Sequence, residues 1–304
     1  MYTLKNVIQA FKITLLLFLF SFSSAQSTPL KISILQTSEH PALNQARQGL
    51  VEELQSLGYK ESKNLILDYQ SAQGNPALAI QIAQKFASNN PDLIVAIGTP
   101  AAQAVLTATK DKGSPVVFTA VSDPLGAKLV TNLKAPEGHV TGISDFVSPE
   151  SQFEFFKKLL PTLKTIGIVY NPGEDNSTAL NHLMEKAAEK MDLKLILAPA
   201  SKSSDVLAAS RSLCGKVDAL FINNDNTALS AFKSVVKAAN ECSIPAFVSD
   251  LDVVDQGALA ALGPNQIALG RQTARMVDRI LKNKGMPLPA VEFPEKTEED
   301  VNGS

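Results

Sequence analysis

The sequence has no tryptophan, only two cysteines and three histidines, and no excess of positive charge. With 28 basic against 30 acidic residues, the formal net charge is −2, so the chain lacks the positive surface that neutralises a phosphate backbone and we expect no nucleic-acid partner. The histidines do not stand at HxxxH or HExxH spacing, so no metal site is predicted. The patterns GxSxG, GxGxxG and GxxxxGK[ST] are absent too, and we therefore expect no catalysis and no cofactor.

A long apolar run occurs only near the N-terminus. The run Ile13–Phe20 follows Lys5 and Lys12 and precedes the small residues 23–25. It is about half the ~20 residues that a bilayer-spanning helix needs, so we interpret residues 1–25 as a cleaved signal peptide rather than a retained anchor. No cysteine lies near residue 25, where a bacterial lipoprotein would be acylated. The mature protein is therefore expected to be free in a periplasm.

Cys214 and Cys242 leave their pairing open. An oxidising compartment would permit a disulfide that contributes ~3 kcal/mol. Nothing in the sequence brings their Cβ atoms to the ~4 Å that a disulfide requires, and we prefer two separate buried thiols on helices that flank one strand. A CxxC redox motif is absent.

The chain repeats one order of elements twice. Short β-branched runs alternate with helical stretches in both halves, and matched positions such as Leu65 and Leu195 stand about 130 residues apart, far more than a solenoid repeat. The predicted strands are Ile32–Leu35, Leu65–Asp68, Leu93–Ile97, Val116–Phe118, Ile166–Val169, Leu195–Leu197, Ala219–Ile222 and Ala246–Val248. This alternation predicts an α/β fold of two similar Rossmann-like lobes with parallel sheets, joined by a multi-segment hinge.

The predicted lobes are not contiguous in sequence. The expected boundaries are lobe one at 30–144 plus 256–290, lobe two at 145–255, and a C-terminal tail at 291–304. Hinge crossings are expected near 141–148 and 249–258, and the helix predicted at Gln266–Asn283 should return to lobe one.

Polar loops follow the predicted strands in both halves. In open parallel sheets a ligand lies beyond the carboxyl ends of the strands, so these loops should face one cleft. Each Ser, Thr, Asn or Asp before a helix also fits a simple N-cap, but the polar run Asn223–Thr227 exceeds what one cap needs. Residues 98–100 could receive a carboxylate. The candidate ligand-binding residues are Thr37, His40, Thr99, Pro100, Ala101, Thr119, Val121, Ser122, Asp123, Asp145, Asn171, Glu174, Asn176, Asn224, Asp225, Asn226, Thr227, Ser249 and Asp250.

From about Lys31 to Pro289 the sequence resembles the tryptophan/tyrosine-type ABC-transporter substrate-binding proteins, which have a type I periplasmic-binding-protein fold. The stretches that carry the resemblance are residues 39–43, 47–50, 72–76, 118–124, 142–145, 170–174 and 257–260. The resemblance implies a small ligand with α-amino and carboxylate groups, often an aromatic amino acid, that is delivered to a membrane permease and its ATPase. In that picture a carboxylate such as Asp225 holds the ligand ammonium. We further expect a monomer whose lobes close on the ligand. The residues after Glu298 are expected to stop short of the family's usual final strand.

Two other functions remain open at this stage. An exported hydrolase could use the same cleft, with two of the acids Asp123, Asp145, Glu174, Asp225 and Asp250 as a glycosidase-type pair. The chain could also bind a ligand for a membrane sensor. The identity of the ligand is open too, because without tryptophan an aromatic clamp would depend on phenylalanine or Tyr170.

Overall fold

The computed structural model describes residues 28–111 and 113–303. The predicted signal peptide, residues 1–25, lies outside the described residues. The strands are β1 Leu30–Gln36, β2 Leu65–Ser71, β3 Leu93–Ile97, β4 Val116–Thr119, β5 Val140–Ile143, β6 Thr165–Tyr170, β7 Lys194–Pro199, β8 Ala219–Ile222, β9 Ala246–Val248, β10 Ala260–Pro264 and β11 Thr297–Val301. The α-helices are α1 Pro41–Ser56, α2 Pro76–Ser88, α3 Thr99–Thr109, α4 Pro149–Leu159, α5 Asp175–Lys190, α6 Val206–Arg211, α7 Asn226–Ser230, α8 Phe232–Cys242 and α9 Gln266–Lys282.

Each of the eight strands predicted from the sequence lies within an observed strand. Helix starts follow local capping: the Asn75 side chain accepts hydrogen bonds from the first N–H groups of α2, and Pro76 takes the first helical position. The helical segment that follows β8 is divided at Ala231 into α7 and α8. Within residues 28–111 and 113–303, no helix is long and apolar enough to cross a bilayer.

The strands form two sheets, one in each lobe. The sheet of lobe one has the order β2-β1-β3-β4-β5 and is entirely parallel. The sheet of lobe two has the order β7-β6-β8-β9-β10-β11, in which only β11 runs antiparallel. Buried apolar residues cover both faces of each sheet. The predicted α/β fold with two similar parallel-sheet lobes is confirmed.

Within residues 256–290, which were assigned to lobe one, α9 and the segment after it do contact lobe one: Lys284 donates to Asp92, and the Pro289 carbonyl oxygen accepts from Thr141. Strand β10 pairs with β9 and so belongs to the second sheet. The segment 249–258, expected to cross between lobes, forms the 3₁₀ helix Leu251–Gln256 and stays in lobe two. A glycine-containing turn between apolar stretches is typical of a hinge, but it equally joins neighbouring strands of one sheet.

The residues after 290 form more than a tail. Glu292 pairs with β5 in lobe one, and five residues further on β11 pairs with β10 in lobe two. The expectation that the chain lacks a final strand was therefore wrong; the run of acids in β11 has little apolar character and gave no strand signal. The lobes are joined by three crossings, at 144–148, at Asn265 and at 293–296.

Helix α9 returns to lobe one and packs along α1 at very short distance. A Cβ atom added to Gly270 would lie 2.0 Å from the carbonyl oxygen of Ala46, and one added to Gly49 would lie 2.1 Å from the carbonyl oxygen of Ile267. Only glycine at these two positions lets the helix backbones approach so closely. The contact places the start of α9 against the first turns of α1, which follow the carboxyl end of β1.

Cys214 and Cys242 form a disulfide in lobe two, with their Cα atoms 5.3 Å apart. The preference for two separate thiols was therefore wrong. Helices α6 and α8 pack side by side on one face of the second sheet, which brings the residues at their ends together. Strand β8 lies between the two cysteines in the sequence, so the order of elements along the chain does not reveal that the cysteines are close in space.

We expect Cys214→Ser to lower the free energy of unfolding by about 3 kcal/mol, because the bond restricts the unfolded chain between residues 28 positions apart. Urea unfolding of the variant and the oxidised wild type measures the difference. A reductant should reduce the stability of the wild type by a similar amount and leave the variant unchanged. Equal stability of variant and oxidised wild type would contradict the prediction.

Candidate functional site

A cavity of about 980 Å³ lies between the lobes, at the carboxyl ends of the parallel strands. Its lobe-one wall comes from the loops after β1 and β2 and from α2 and α3, and its lobe-two wall comes from the loops after β6 and β7 and from α7. Six of the residues expected from the sequence line it: Thr37, Pro100, Asn171, Glu174, Asn226 and Thr227. The cavity therefore lies where the strand order predicts a ligand.

Glu174 organises the lobe-two wall of the cavity. Its Oε1 accepts hydrogen bonds from the backbone N–H (3.0 Å) and the hydroxyl (2.8 Å) of Thr227. Its Oε2 accepts from the backbone N–H (3.1 Å) and the side-chain amide (2.7 Å) of Asn226, with a longer bond from Asn176 at 3.4 Å. Because both oxygens are occupied from within lobe two, Glu174 fixes the loop before α7 in place and has little capacity left for a ligand.

The first hydrogen bond between the lobes joins His40 to Asn226. His40 Nε2 lies 3.1 Å from Asn226 Oδ1, and the Asn226 amide nitrogen donates to Glu174. Because Oδ1 must then accept, His40 carries its proton on Nε2, and its buried Nδ1 is an acceptor with no partner. Burial lowers the pKa of His40, so the ring is neutral near pH 7.

A second polar chain crosses the cleft at its floor. Ser122 donates to Asp145 at 2.8 Å, and the Asn224 amide reaches the Ser122 hydroxyl from lobe two at 3.2 Å. The Ser249 hydroxyl donates to Asn224 Oδ1 at 2.6 Å. Burial raises the pKa of Asp145 to about 6. These four predicted residues therefore form one connected network between the lobes.

Asp225 is fully occupied inside lobe two. Its Oδ1 accepts from the backbone N–H of Ala228, and its Oδ2 accepts from the backbone N–H of Asn171 and the hydroxyl of Ser177. Burial, followed by the negative charge of Glu174, raises the pKa of Asp225 to about 7. The expected role of Asp225 as the ammonium partner has no support in this geometry, which instead makes Asp225 a cap that positions α7.

The other lobe-one candidates lie in the apolar core or form hydrogen bonds within lobe one. Ala101 and Val121 belong to the apolar core, and the Thr119 hydroxyl accepts from Thr273 on α9. Asp123 accepts from the N–H of Gly126 and so closes its own turn. Three of the five acids considered for a glycosidase-type pair, Asp123, Glu174 and Asp225, thus each accept hydrogen bonds from donors of their own lobe.

The N-terminus of α3 was expected to bind a ligand carboxylate through its backbone N–H groups, but few of these groups are available to a ligand. Thr99 is buried, Pro100 has no N–H group, and the N–H of Ala101 donates to Thr37 Oγ1 at 3.1 Å. Gly98 adopts a φ of 90°, and a Cβ atom there would lie 2.6 Å from Thr37 Oγ1. The glycine therefore allows Thr37 to cap α3 from the neighbouring strand.

Sequence reasoning missed several residues of the cavity. Gln103 on α3 lines it and donates to Asp175 of lobe two at 2.7 Å, a third hydrogen bond between the lobes. The loop 73–76 after β2 and Lys202 after β7 also line it. The strand-end rule could have identified the loops after β2 and β7, because they too begin at the carboxyl edge of a sheet. Gln103 lies within a helix, so that rule does not identify it.

Two further observations bear on chemistry at the cleft. Asn176 and Asp250, both predicted, are buried and each has a side-chain oxygen with no hydrogen-bond partner. Burial, followed by the charge of Asp252, raises the pKa of Asp250 to about 7. Within the part of the chain that the structure describes, no group of three or more His, Cys, Asp or Glu side chains is arranged to hold a metal ion.

Comparison with known proteins gives a consistent family assignment. The family model described as ABC transporter substrate binding protein matches residues 31–300. Over 271 residues, 89% of this chain and 78% of the relative, the sequence is 38% identical to a tyrosine-binding protein of Clostridioides difficile strain R20291.

Two solved structures superpose on this chain with different TM-scores. An ABC domain from Streptococcus pneumoniae in complex with L-Trp, 33% identical, superposes with a TM-score of 0.86 over 90% of this chain and 92% of that chain. A ligand-free, open structure of a Clostridium difficile substrate-binding protein with adhesive properties, 39% identical, gives 0.68 over 90% and 92%. The whole chain therefore superposes better on the L-Trp complex than on the ligand-free, open structure, although its sequence identity to the open structure is higher.

Proposed function

This chain belongs to the ABC transporter substrate-binding protein family, and from that premise we propose that it binds an amino acid between its lobes and delivers it to the permease and ATPase of an importer. It has the type I periplasmic-binding-protein fold of two parallel-sheet lobes. In this proposal residues 1–25 are removed on export, the mature chain acts as a monomer in the periplasm, and no bond of the ligand is broken.

The observation that carries the proposal is the set of hydrogen bonds that cross the cleft. His40–Asn226, Ser122–Asn224 and Gln103–Asp175 form only when the lobes lie together. A ligand that contacts both walls adds its own interactions to the same state and shifts the population toward it. Closure would then be the signal that the permease recognises.

The wall chemistry suits a small amphipathic molecule. Alanine and isoleucine side chains of α2 and α3, including Ala79, Ile80 and Ala104, form an apolar surface on lobe one, whereas Asn171, Ser203 and their neighbours make lobe two polar. No aromatic side chain is among the described residues that line the cavity. An amino acid whose side chain rests on the lobe-one surface fits this division, and the pocket does not require that side chain to be aromatic.

We expect an amino acid at about 100 times its dissociation constant to raise the melting temperature by about 5 °C, because preferential binding to the folded state contributes ~2.7 kcal/mol. A thermal-shift screen of the purified protein against amino acids, sugars, nucleosides and small peptides identifies the ligand class. Small-angle scattering with and without the hit should show a smaller radius of gyration in the bound state.

Stabilisation by sugars or nucleosides alone would overturn the amino-acid assignment. An unchanged scattering profile at saturation would overturn lobe closure. Chromatography of the recovered ligand provides the matching control, since a hydrolase would return altered molecules and a carrier returns the molecule supplied.

A further inference from the structure

We propose that the interlobe cavity has an outer subsite, formed by the groove between α2 and α3 and by Lys202, that binds the carboxylate end of an amino acid extended by one or two peptide-linked residues. This inference rests on the proposed function. It names the ligand class, a di- or tripeptide, that the same cavity binds more tightly than a free amino acid.

The cavity is larger than a single amino acid needs. Its volume of about 980 Å³ lies at the upper end of the ~300–1,000 Å³ of pockets that enclose drug-sized molecules. Even the largest common amino acid is much smaller than such a molecule. The space remains although hydrogen bonds such as His40–Asn226 and Gln103–Asp175 already join the lobes. A free amino acid would therefore leave much of the cavity to water.

The cavity extends from the centre of the cleft toward one side. The loops after the inner strands β1, β3, β6 and β8 line one part of it, and the loops after β2 and β7 line another. Strands β2 and β7 are edge strands of their sheets. The additional volume therefore lies beside the cleft, where the edges of the two lobes face each other.

On lobe one the cavity follows the groove between α2 and α3. The lining residues run from Pro76 to Gln84 on α2 and from Pro100 to Ala108 on α3. Eight steps along a helix give about 12 Å of groove on each side, because each residue rises ~1.5 Å. An extended chain advances ~3.3–3.6 Å per residue, so about three residues fill that length. This length predicts a di- or tripeptide.

The floor of the groove has apolar surface that no protein group covers. Ile80 of α2 lines the cavity, yet the residue is 50% exposed. Ala104 and Ala108 of α3 line the same cavity. A single amino acid has one side chain to place on this floor, whereas a peptide has a second or third. Covering Ile80 removes apolar surface from water and so favours the longer ligand.

Lys202 supplies the charge of the outer subsite. Among the described residues that line the cavity, it is the only lysine or arginine. Its ammonium group forms no ion pair or hydrogen bond within residues 28–111 and 113–303. The lining acids have donors: Glu174 accepts from Asn226 and Thr227, and Glu39 accepts from the Tyr69 hydroxyl.

Extension of the ligand explains why this cation lies beside the cleft. Lys202 follows the edge strand β7, so it lies on the same side as the loop after β2. Each residue added at the carboxyl end of an amino acid moves the negative charge away from the amino group. A peptide that lies along the groove can therefore bring its carboxylate to Lys202 and form a charge-assisted hydrogen bond.

Titration calorimetry of the purified mature protein tests the proposal with L-Ala, L-Leu and L-Phe. Each is compared with the di- and tripeptides made by adding alanine at its carboxyl end, and with the C-terminal amides of those peptides. We expect the best peptide to bind at least about 10-fold more tightly than its parent amino acid, because it covers more apolar surface. Amidation should weaken that peptide about 5-fold, because it removes the negative charge.

Two variants separate charge from space. Lys202→Met should weaken binding of the peptide acid about 5-fold and leave the amidated peptide and the parent amino acid unchanged. Lys216→Met, at an exposed lysine of lobe two outside the cavity, is the matched control and should change nothing. Thr107→Trp, at an exposed position of α3, should fill the groove and abolish the advantage of the peptide. Its unchanged affinity for the parent amino acid would show that the variant is folded.

The outcomes distinguish the subsite from the proposed function. If a free amino acid binds and no peptide binds more tightly, the outer subsite is overturned and the proposed function stands. Binding of peptides alone would support the outer subsite and overturn the free amino acid as the ligand. If neither class binds, both proposals fail. A peptide advantage that survives both amidation and Lys202→Met would overturn the role of Lys202.

Discussion

Replacing Glu174 with alanine is expected to lower the affinity for the proposed amino-acid ligand about 100-fold and the free energy of unfolding by about 3 kcal/mol, because buried donors left without an acceptor cost ~1–3 kcal/mol each. The carboxylate holds the backbone and side chains of Asn226 and Thr227. Without it, Asn226 is no longer fixed for its bond to His40 across the cleft. Titration calorimetry and urea unfolding measure the two effects separately.

Glu185→Ala is the matched control, since Glu185 lies on the exposed face of α5 and, among the residues that the structure describes, forms an ion pair only with the exposed His182. It should leave both quantities unchanged. Glu174→Gln keeps one acceptor oxygen and should fall between alanine and wild type. If Glu174→Ala bound the ligand with wild-type affinity, the carboxylate of Glu174 would not be required to position the loop before α7 for binding.

Replacing Gly270 with valine is expected to remove at least about 4 kcal/mol of stability, an effect of the size seen when packed elements are forced apart. The added Cβ would lie 2.0 Å from the Ala46 carbonyl oxygen and 2.7 Å from the Leu50 amide nitrogen, both of which are backbone atoms that no rotamer change can move. Helices α1 and α9 must therefore separate along their whole contact. Soluble yield and thermal unfolding report the loss.

Gly303→Val is the control, because a Cβ atom at Gly303 meets nothing within 4 Å. Its melting temperature should equal that of the wild type. A Gly270→Val protein that unfolds at the wild-type temperature would mean that α1 and α9 do not pack as described.

The sequence predicted the parallel sheets well because buried parallel strands are short, continuous apolar runs. Strands β3, β8 and β9 begin and end at the predicted residues. Strand β11 could not be predicted in this way, since its residues are mostly acidic and its pairing is set by its position beside β10. The disulfide was missed for a related reason: helix neighbours within a layer are not visible in chain order.

The sequence predicted the location of the candidate site more accurately than it predicted the roles of individual residues in it. The rule that ligands lie beyond strand ends placed Glu174, Asn226 and Asn171 at the cavity. The same rule cannot tell a side chain that faces the cleft from one that caps a helix, and Asp225 is the clearest case. That distinction depends on which oxygens already have donors, which is a property of the folded chain.

The position of α9 allows lobe two to fold before lobe one, although lobe one comes first in the sequence. Lobe one needs α9 to cover α1, yet α9 follows all the parallel strands of lobe two. As the chain emerges from the ribosome, the α1 surface around Leu43 and Leu50 stays uncovered until residue 282 has followed. Lobe two can therefore assemble its parallel strands first, and lobe one, although it begins the chain, is completed later.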